Sequence, residues 1–169
     1  IPYGIQKQFP VCTTDTLAKR HKFLHQFRSN LDTTTYAQDE LKQILIEKTV
    51  QMLSAPDSKG QCLMLLGPPG TGKTTIIRHG LAKSLGLHFS EIPLAGLEDA
   101  SLLKGSGQVW ENSKEGAILN SYIQAKSENF IFFFDEVDKI GKGTHGDAIL
   151  QCLTQTIDFS QNESFQDLF

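Results

Sequence analysis

Residues Gly67-Pro68-Pro69-Gly70-Thr71-Gly72-Lys73-Thr74 restrict what this chain can fold into more than any other stretch. They have the form G-x-x-x-x-G-K-[ST], with the apolar run Cys62 to Leu66 before them and a helical pattern starting at Lys73. Glycines leave the backbone free to curl so that successive N–H groups face one anion, and the helix behind adds the positive end of its dipole. A phosphate chain fits such a concavity. Lys73 can then reach the β and γ phosphates as a mobile point charge, while the Thr74 hydroxyl is placed to hold Mg²⁺. The competing reading is a Gly-Pro surface turn, in which the flanking strand and helix patterns would be coincidence.

The 169 residues are about one domain's worth, with ordinary apolar and charged fractions. Net charge is −3 with both signs interspersed, which leaves no electrostatic footprint for nucleic acid or an acidic membrane surface. Cys12, Cys62 and Cys152 are odd in number, far apart and without a C-x-x-C pair. They predict reduced thiols in a cytoplasmic or mitochondrial-matrix setting and no structural metal site. The longest apolar run falls far short of the ~20 residues of a membrane helix, and no leader pattern opens the chain. A start at Ile1, not Met, predicts a piece of a longer polypeptide.

Taken in order, residues 1 to 14 read as extended, with Pro2 and Pro10 preventing helix. Asp15 to Arg28 reads as an amphipathic helix with Leu17, Leu24 and Phe27 on one face. His21 and His25 on it are spaced as metal ligands but lack a third, so they read as a solvated or packed pair. Thr35-Tyr36-Ala37-Gln38 has the form of a capping box, and Leu41, Ile44, Leu45, Lys48 and Met52 continue a helix from about Ala37 to Leu53. Cys62 to Leu66 reads as a fully buried parallel strand. The helix after the phosphate loop puts Ile76, Ile77, Leu81 and Leu85 inward and stops at Gly86 in a left-handed cap. Leu87 to Ile92 reads as a second strand ended by Pro93, Leu94 to Ser113 as irregular, and 114 to 127 as helix through Ile118, Leu119, Tyr122 and Ile123. Trp110, the one tryptophan, sits in the irregular stretch, where composition alone favours core burial. Phe130 to Phe134 reads as a strand buried on both sides, Gly141 to Gly146 as a loop, and Asp147 to Asp158 as a helix with Leu150, Leu153 and Ile157 inward.

That last strand runs directly into Asp135-Glu136. Two carboxylates released at the C-terminal end of a buried strand are how open α/β sheets present their chemistry, and they are costly unless something there needs them. A nucleotide with its metal does. Asp135 would orient the Mg²⁺ coordination sphere and Glu136 would polarise the water attacking the γ phosphorus. The competing reading makes Asp135 to Lys139 only a charged turn. The aspartate alone allows transfer to a bound acceptor, but the adjacent glutamate favours hydrolysis. Phosphoryl transfer of this kind also wants a cation at the γ phosphate, and arginine occurs only at Arg20, Arg28 and Arg78, with none after the acidic pair.

The phosphate loop and the strand-acid element together are those of AAA+ ATPases, and the surrounding text resembles the ATPase module of Lon-type proteases. Ile1-Pro2-Tyr3-Gly4, Leu31-Asp32 through Tyr36 to Leu45, Ser127-Glu128-Asn129, Asp135 through Gly141, Gly146-Asp147, Ile157-Asp158, Gln161-Asn162 and Phe165 each resemble Lon text in the right order. The resemblance implies an α/β P-loop NTPase of AAA+ type, a three-layer parallel sheet with flanking helices. It implies ATP and Mg²⁺ as ligands, with Gly67 to Thr75 and Asp135 at the phosphates and metal and Tyr36 with Ala37 at the adenine. It also implies a homo-hexameric ring that pulls unfolded protein through a central pore to a serine-lysine peptidase on the same polypeptide. Trp110 with Glu111 falls on the substrate-gripping pore loop, which moves Trp110 from core to pore, and Gly141 to Asp147 on a second pore loop. Residues 1–30 would be linker and helix from a preceding region and 31–169 a partial AAA+ core, with the sensor strand, arginine finger, lid and peptidase following Phe169 in the family order.

Departures from the pattern, Glu111-Asn112 after the aromatic, one extra residue between Asp147 and Asp158, and Phe159-Ser160 in place of Pro-Glu, imply a divergent member. The same residues fit a protein-remodelling ATPase without a peptidase. A clamp-loader type is disfavoured by the lack of a basic face, and a small P-loop kinase would need an acceptor pocket.

Overall fold

The computed structural model describes residues 17–54, 60–105, 115–127 and 129–158. These form two compact units: one holds the described residues up to Phe89 together with Asn129–Ile131, the other those from Ser90 onward apart from that short segment.

The first unit begins with helix α1 (Leu17–Thr34), which ends six residues past the apolar pattern, because Leu31 continues its inward face and is fully buried with Phe27. His21 and His25 are exposed, and the described residues contain no group of three or more His, Cys, Asp or Glu placed to hold a metal ion. Helix α2 (Asp39–Ser54) starts two residues after the expected position. The capping box does not form: Gln38 itself carries the first helical acceptor, its carbonyl taking the Lys42 N–H at 3.0 Å. Leu45, Thr49 and Leu53 turn inward, and so does Lys42, whose ammonium meets Asp32 of α1 at 3.1 Å; Ile44 faces outward.

Helix α3 runs in three consecutive pieces, Lys73–Thr75, Ile76–Ala82 and Lys83–Leu85, the middle one wound as a π-helix. Ile76, Ile77 and Leu85 are buried as expected, and Gly86 ends the helix at φ 66°. α1 crosses α3 at Gly80, where a Cβ would lie 2.7 Å from the Leu31 Cδ2. The glycine lets the two backbones close on each other.

The expected strand at Cys62 to Leu66 does not form. Residues 60–68 have no regular structure, Met64 is 76% and Leu66 86% exposed, and Cys62 is exposed. A strand exists only through the hydrogen bonds of a neighbour, and no described residue supplies one. Among the described residues the sheet has two parallel strands, β1 (His88–Pro93), which takes in the proline expected to end it, and β2 (Phe130–Asp135). Every residue of β2 is half-buried, where burial on both sides was expected.

In the second unit, a short helix α4 (Ser101–Lys104) interrupts the stretch expected to be irregular. Helix α5 (Ala117–Ala125) buries Ile118 and Ser121 but leaves Tyr122 and Ile123 largely exposed. Helix α6 (Thr144–Ile157) starts inside the expected loop and buries Ile149, Cys152 and Leu153; Leu150 and Ile157, expected inward, are outward. The core joins Ile92, Leu94, Leu103, Ile118, Ile149, Cys152 and Leu153, with Phe132, Phe134 and Ile140 against it. Gly116 and Gly146 sit where a side chain would strike backbone, a Cβ on Gly146 lying 1.7 Å from the Gly141 carbonyl oxygen.

Candidate functional site

The phosphate loop is built on two left-handed glycines, Gly70 at φ 77° and Gly72 at φ 84°, the second serving as N-cap of α3. Only glycine takes such angles without strain, and they turn the loop so that α3 starts from it with unpaired N–H groups forward. Gly67, Pro68, Pro69, Gly70, Thr71 and Thr75 are exposed, while Gly72, Lys73 and Thr74 are half-buried. Lys73 folds back over the loop, its ammonium donating to the carbonyl oxygens of Gly67 and Pro68 at 2.8 Å each, and the Thr71 hydroxyl donates to the Pro68 carbonyl at 2.9 Å. A phosphate oxygen would be a stronger acceptor for an ammonium than a neutral carbonyl, so these are bonds that Lys73 could exchange for an anion.

Beside the loop lies the turn Thr35 to Gln38. The Thr35 methyl would touch a Cβ on Gly72, and the Gln38 side-chain nitrogen donates to the Thr71 carbonyl. Ala37 and Gln38 both adopt left-handed backbone, at φ 58° and 62°, which costs a residue with a Cβ about 1 to 2 kcal/mol. Tyr36 stands 99% exposed at the tip. Thr35 and Gln38, expected as the two ends of a capping box, are instead the side chains of this turn that reach the phosphate loop. A cleft of about 450 Å³ opens here, lined by Gln38, Leu41, Ile44, residues 63–66, Gly67, Pro68, Thr71 and Lys73.

The acidic pair belongs to the second unit. Asp135 ends β2, its backbone carbonyl accepting from the Leu94 N–H at 3.0 Å and its carboxylate from the Glu136 N–H at 2.9 Å. Glu136 is left-handed at φ 58° and both residues are half-buried. The Glu136 carboxylate pairs with the Lys139 ammonium across a single 3₁₀ turn, Val137–Lys139. That hydrogen bond, and then the Glu136 charge, hold the Lys139 ammonium above its ordinary pKa. Lys139, expected only as the end of a charged turn, joins Glu136 through the i, i+3 spacing that the sequence already shows. Trp110 and Glu111 lie outside the described residues.

No described helix is long and apolar enough to cross a membrane. The Thr74 hydroxyl in the first unit and the Asp135 carboxylate in the second are each oxygen donors of the kind magnesium takes beside phosphate oxygens and water.

Residues 63–166 match the model of the ATPase family associated with various cellular activities (AAA). Among curated proteins, the chain is 32% identical over 155 residues to a Lon protease homolog of Acanthamoeba polyphaga mimivirus, covering 92% of this chain and 15% of that protein. It is 33% identical over 167 residues to the Lon protease of Azorhizobium caulinodans (99% and 18%), and 37% identical over 137 residues to Lon protease homolog 2, peroxisomal, of Pongo abelii (81% and 16%). The chain therefore spans less than a fifth of the length of these relatives.

Proposed function

The chain belongs to the AAA family of ATPases, and from that membership we propose that it is the ATP-hydrolysing core of a Lon-type protease, driving unfolding and translocation of protein substrates. The observation that carries the reading is the loop from Gly67 to Thr74, with two left-handed glycines, the start of α3 behind it and Lys73 poised over its mouth. Lys73 leaves the Gly67 and Pro68 carbonyls for the β and γ phosphate oxygens, and the backbone N–H groups at the start of α3 take the remaining phosphate charge. Thr74 and Asp135 would each offer Mg²⁺ an oxygen ligand, and the ion would supply electrostatic stabilisation of the phosphate charge. Glu136 accepts a proton from the attacking water, for which its carboxylate must turn away from Lys139. Tyr36 and Ala37 face the adenine. Trp110 and Glu111 grip the polypeptide in a ring of six copies, in a reducing compartment that keeps Cys62 and Cys152 as thiols.

The test is ATP turnover and ATP-dependent degradation of an unfolded model protein by the full-length polypeptide, beside its Glu136→Gln and Lys73→Ala variants. Glu136→Gln should bind ATP and lose hydrolysis by at least about 100-fold, and degradation should fall with it. Degradation that proceeds equally well without ATP, or hydrolysis undiminished in both variants, would overturn the reading.

A further inference from the structure

The net charge of −3 conceals a segregation. Residues 1–89 hold 11 of the 16 lysines and arginines against 6 aspartates and glutamates, whereas residues 90–169 hold 5 against 13, so the first stretch is +5 and the second −8. The positive charge is densest on α1. Lys19, Lys22, His25 and Arg28 recur at every third position, which lines them up along the helix, and all four are exposed, as is Arg20. The buried side of α1 carries Phe27 and Leu31. Its one carboxylate, Asp32, is taken by Lys42, and among the described residues no ion pair reaches Lys19, Arg20, Lys22 or Arg28. A solvated helix gains from acids interleaved with its bases and from acids in its first turn; α1 has neither. Its cations repel one another and the positive end of the helix dipole, and an anionic surface laid along the row removes both costs.

Resting on the assembly of copies proposed above, we infer that the exposed face of α1 is a docking surface, and that its occupant is the acidic stretch, residues 90–169, of a second copy of this chain. One polypeptide carries both signs on separate stretches, so the contact is heterologous: α1 of one copy meets the acids of the next and leaves that copy's own α1 open. A nucleic acid or an anionic bilayer fits the row less well. The −8 of residues 90–169 repels a long polyanion, and the apolar side of α1 is packed inward, leaving none to enter lipid.

The experiment follows assembly of the full-length protein by sedimentation velocity at about 0.1 M and 1 M salt, where charges are felt over about 10 Å and 3 Å. The wild type should need at least about 10-fold more protein to assemble at the higher salt. At the lower salt, Lys19→Glu/Lys22→Glu/Arg28→Glu should raise the required concentration by at least about 10-fold, and Lys19→Arg/Lys22→Arg should leave it unchanged. Carbodiimide, which joins an amine to a touching carboxylate, is then applied to a mixture of isotopically light and heavy wild-type protein. Lys19 or Lys22 should be found joined to carboxylates of residues 90–169 in mixed light-heavy pairs. Links from these lysines only within one chain or only to other segments, assembly unaltered in the charge-reversed variant, or no assembly of the wild type would overturn the assignment. So would a variant that assembles normally but no longer binds a random-sequence DNA duplex or phosphatidylserine vesicles. ATP binding by the same variant separates the two readings: its retention shows a folded chain, and if it is lost, the wild-type cross-links decide. A wild type that assembles and cross-links as stated but binds no ATP would sink the nucleotide site alone.

Discussion

The Lys73 ammonium lies 2.8 Å from the Gly67 carbonyl oxygen, six residues back along its own loop. The same residue that would meet a triphosphate therefore ties the loop's first turn to the start of α3. Replacing it by methionine keeps the length and removes both bonds. Lys73→Met should reduce ATP turnover by at least about 100-fold. Its urea midpoint should shift little, because the lost bonds are made at an open, partly solvated loop. Turnover within threefold of the wild type, read by phosphate release, would show that Lys73 is not at the phosphates.

Ala37 and Gln38 carry the turn beside that loop in left-handed backbone. A glycine at position 37 removes the Cβ conflict, although it adds freedom to the unfolded chain. The first effect is the larger, so Ala37→Gly should raise stability by about 0.5 to 1 kcal/mol, measured by chemical denaturation.

Gly80 and Leu31 share one space between α3 and α1. Gly80→Ala forces the Leu31 side chain out of a fully buried position and should cost about 1 to 3 kcal/mol. Leu31→Ala alone opens a cavity and should cost about 2 to 5 kcal/mol. The two changes compensate, so a double-mutant cycle should return a total clearly below the sum; strict additivity would mean that the helices do not meet there.

Gly146 is more constrained, because the atom in the way is backbone. A Cβ 1.7 Å from the Gly141 carbonyl oxygen cannot be relieved by a rotamer change. Gly146→Ala should destabilise by on the order of 3 kcal/mol or more, seen as a lowered melting temperature, whereas alanine at Gly141, where nothing lies near, should cost far less.

Lys139 carries the pH dependence. Its pKa is raised above 10.5 by the Glu136 hydrogen bond first and by the charges of Glu136, Asp138 and Asp135. The folded value exceeds the unfolded one, so the stabilising pairing is fully present below 10.5 and is lost as pH rises through the folded value. A side-chain NMR titration should place Lys139 above ordinary lysine, and Glu136→Gln should bring it back down; no change in that variant would mean the pairing is absent in solution.

The parts legible in the sequence are those whose cause is local. Gly67 to Thr74 fixes its own loop through spacing, Gly86 marks a helix end because only its backbone conformation fits there, and the run from Phe130 into Asp135 declares a strand that ends in charge. Where the cause lies elsewhere in the chain, the pattern misleads. Gln38 looks like the fourth and closing residue of a capping box, but the Thr71 carbonyl, thirty-three positions away, takes its side chain. In α6 the apolar residues surround so much of the helix that Leu150 and Ile157 or Ile149 and Cys152 satisfy the period equally, and packing against Leu103 and Ile118 selects the second pair. Cys62 to Leu66 has every mark of a buried strand except the thing no single segment contains, a neighbour.

Met64 and Leu66 thus present apolar side chains to solvent on a segment that pairs with no strand among the described residues. At high concentration such a segment is a template: the corresponding segment of another copy can line up along it and propagate the match. Handling these residues without an adjacent strand to shield that edge invites clumping, and a lysine placed at position 64 would be the simplest way to discourage it.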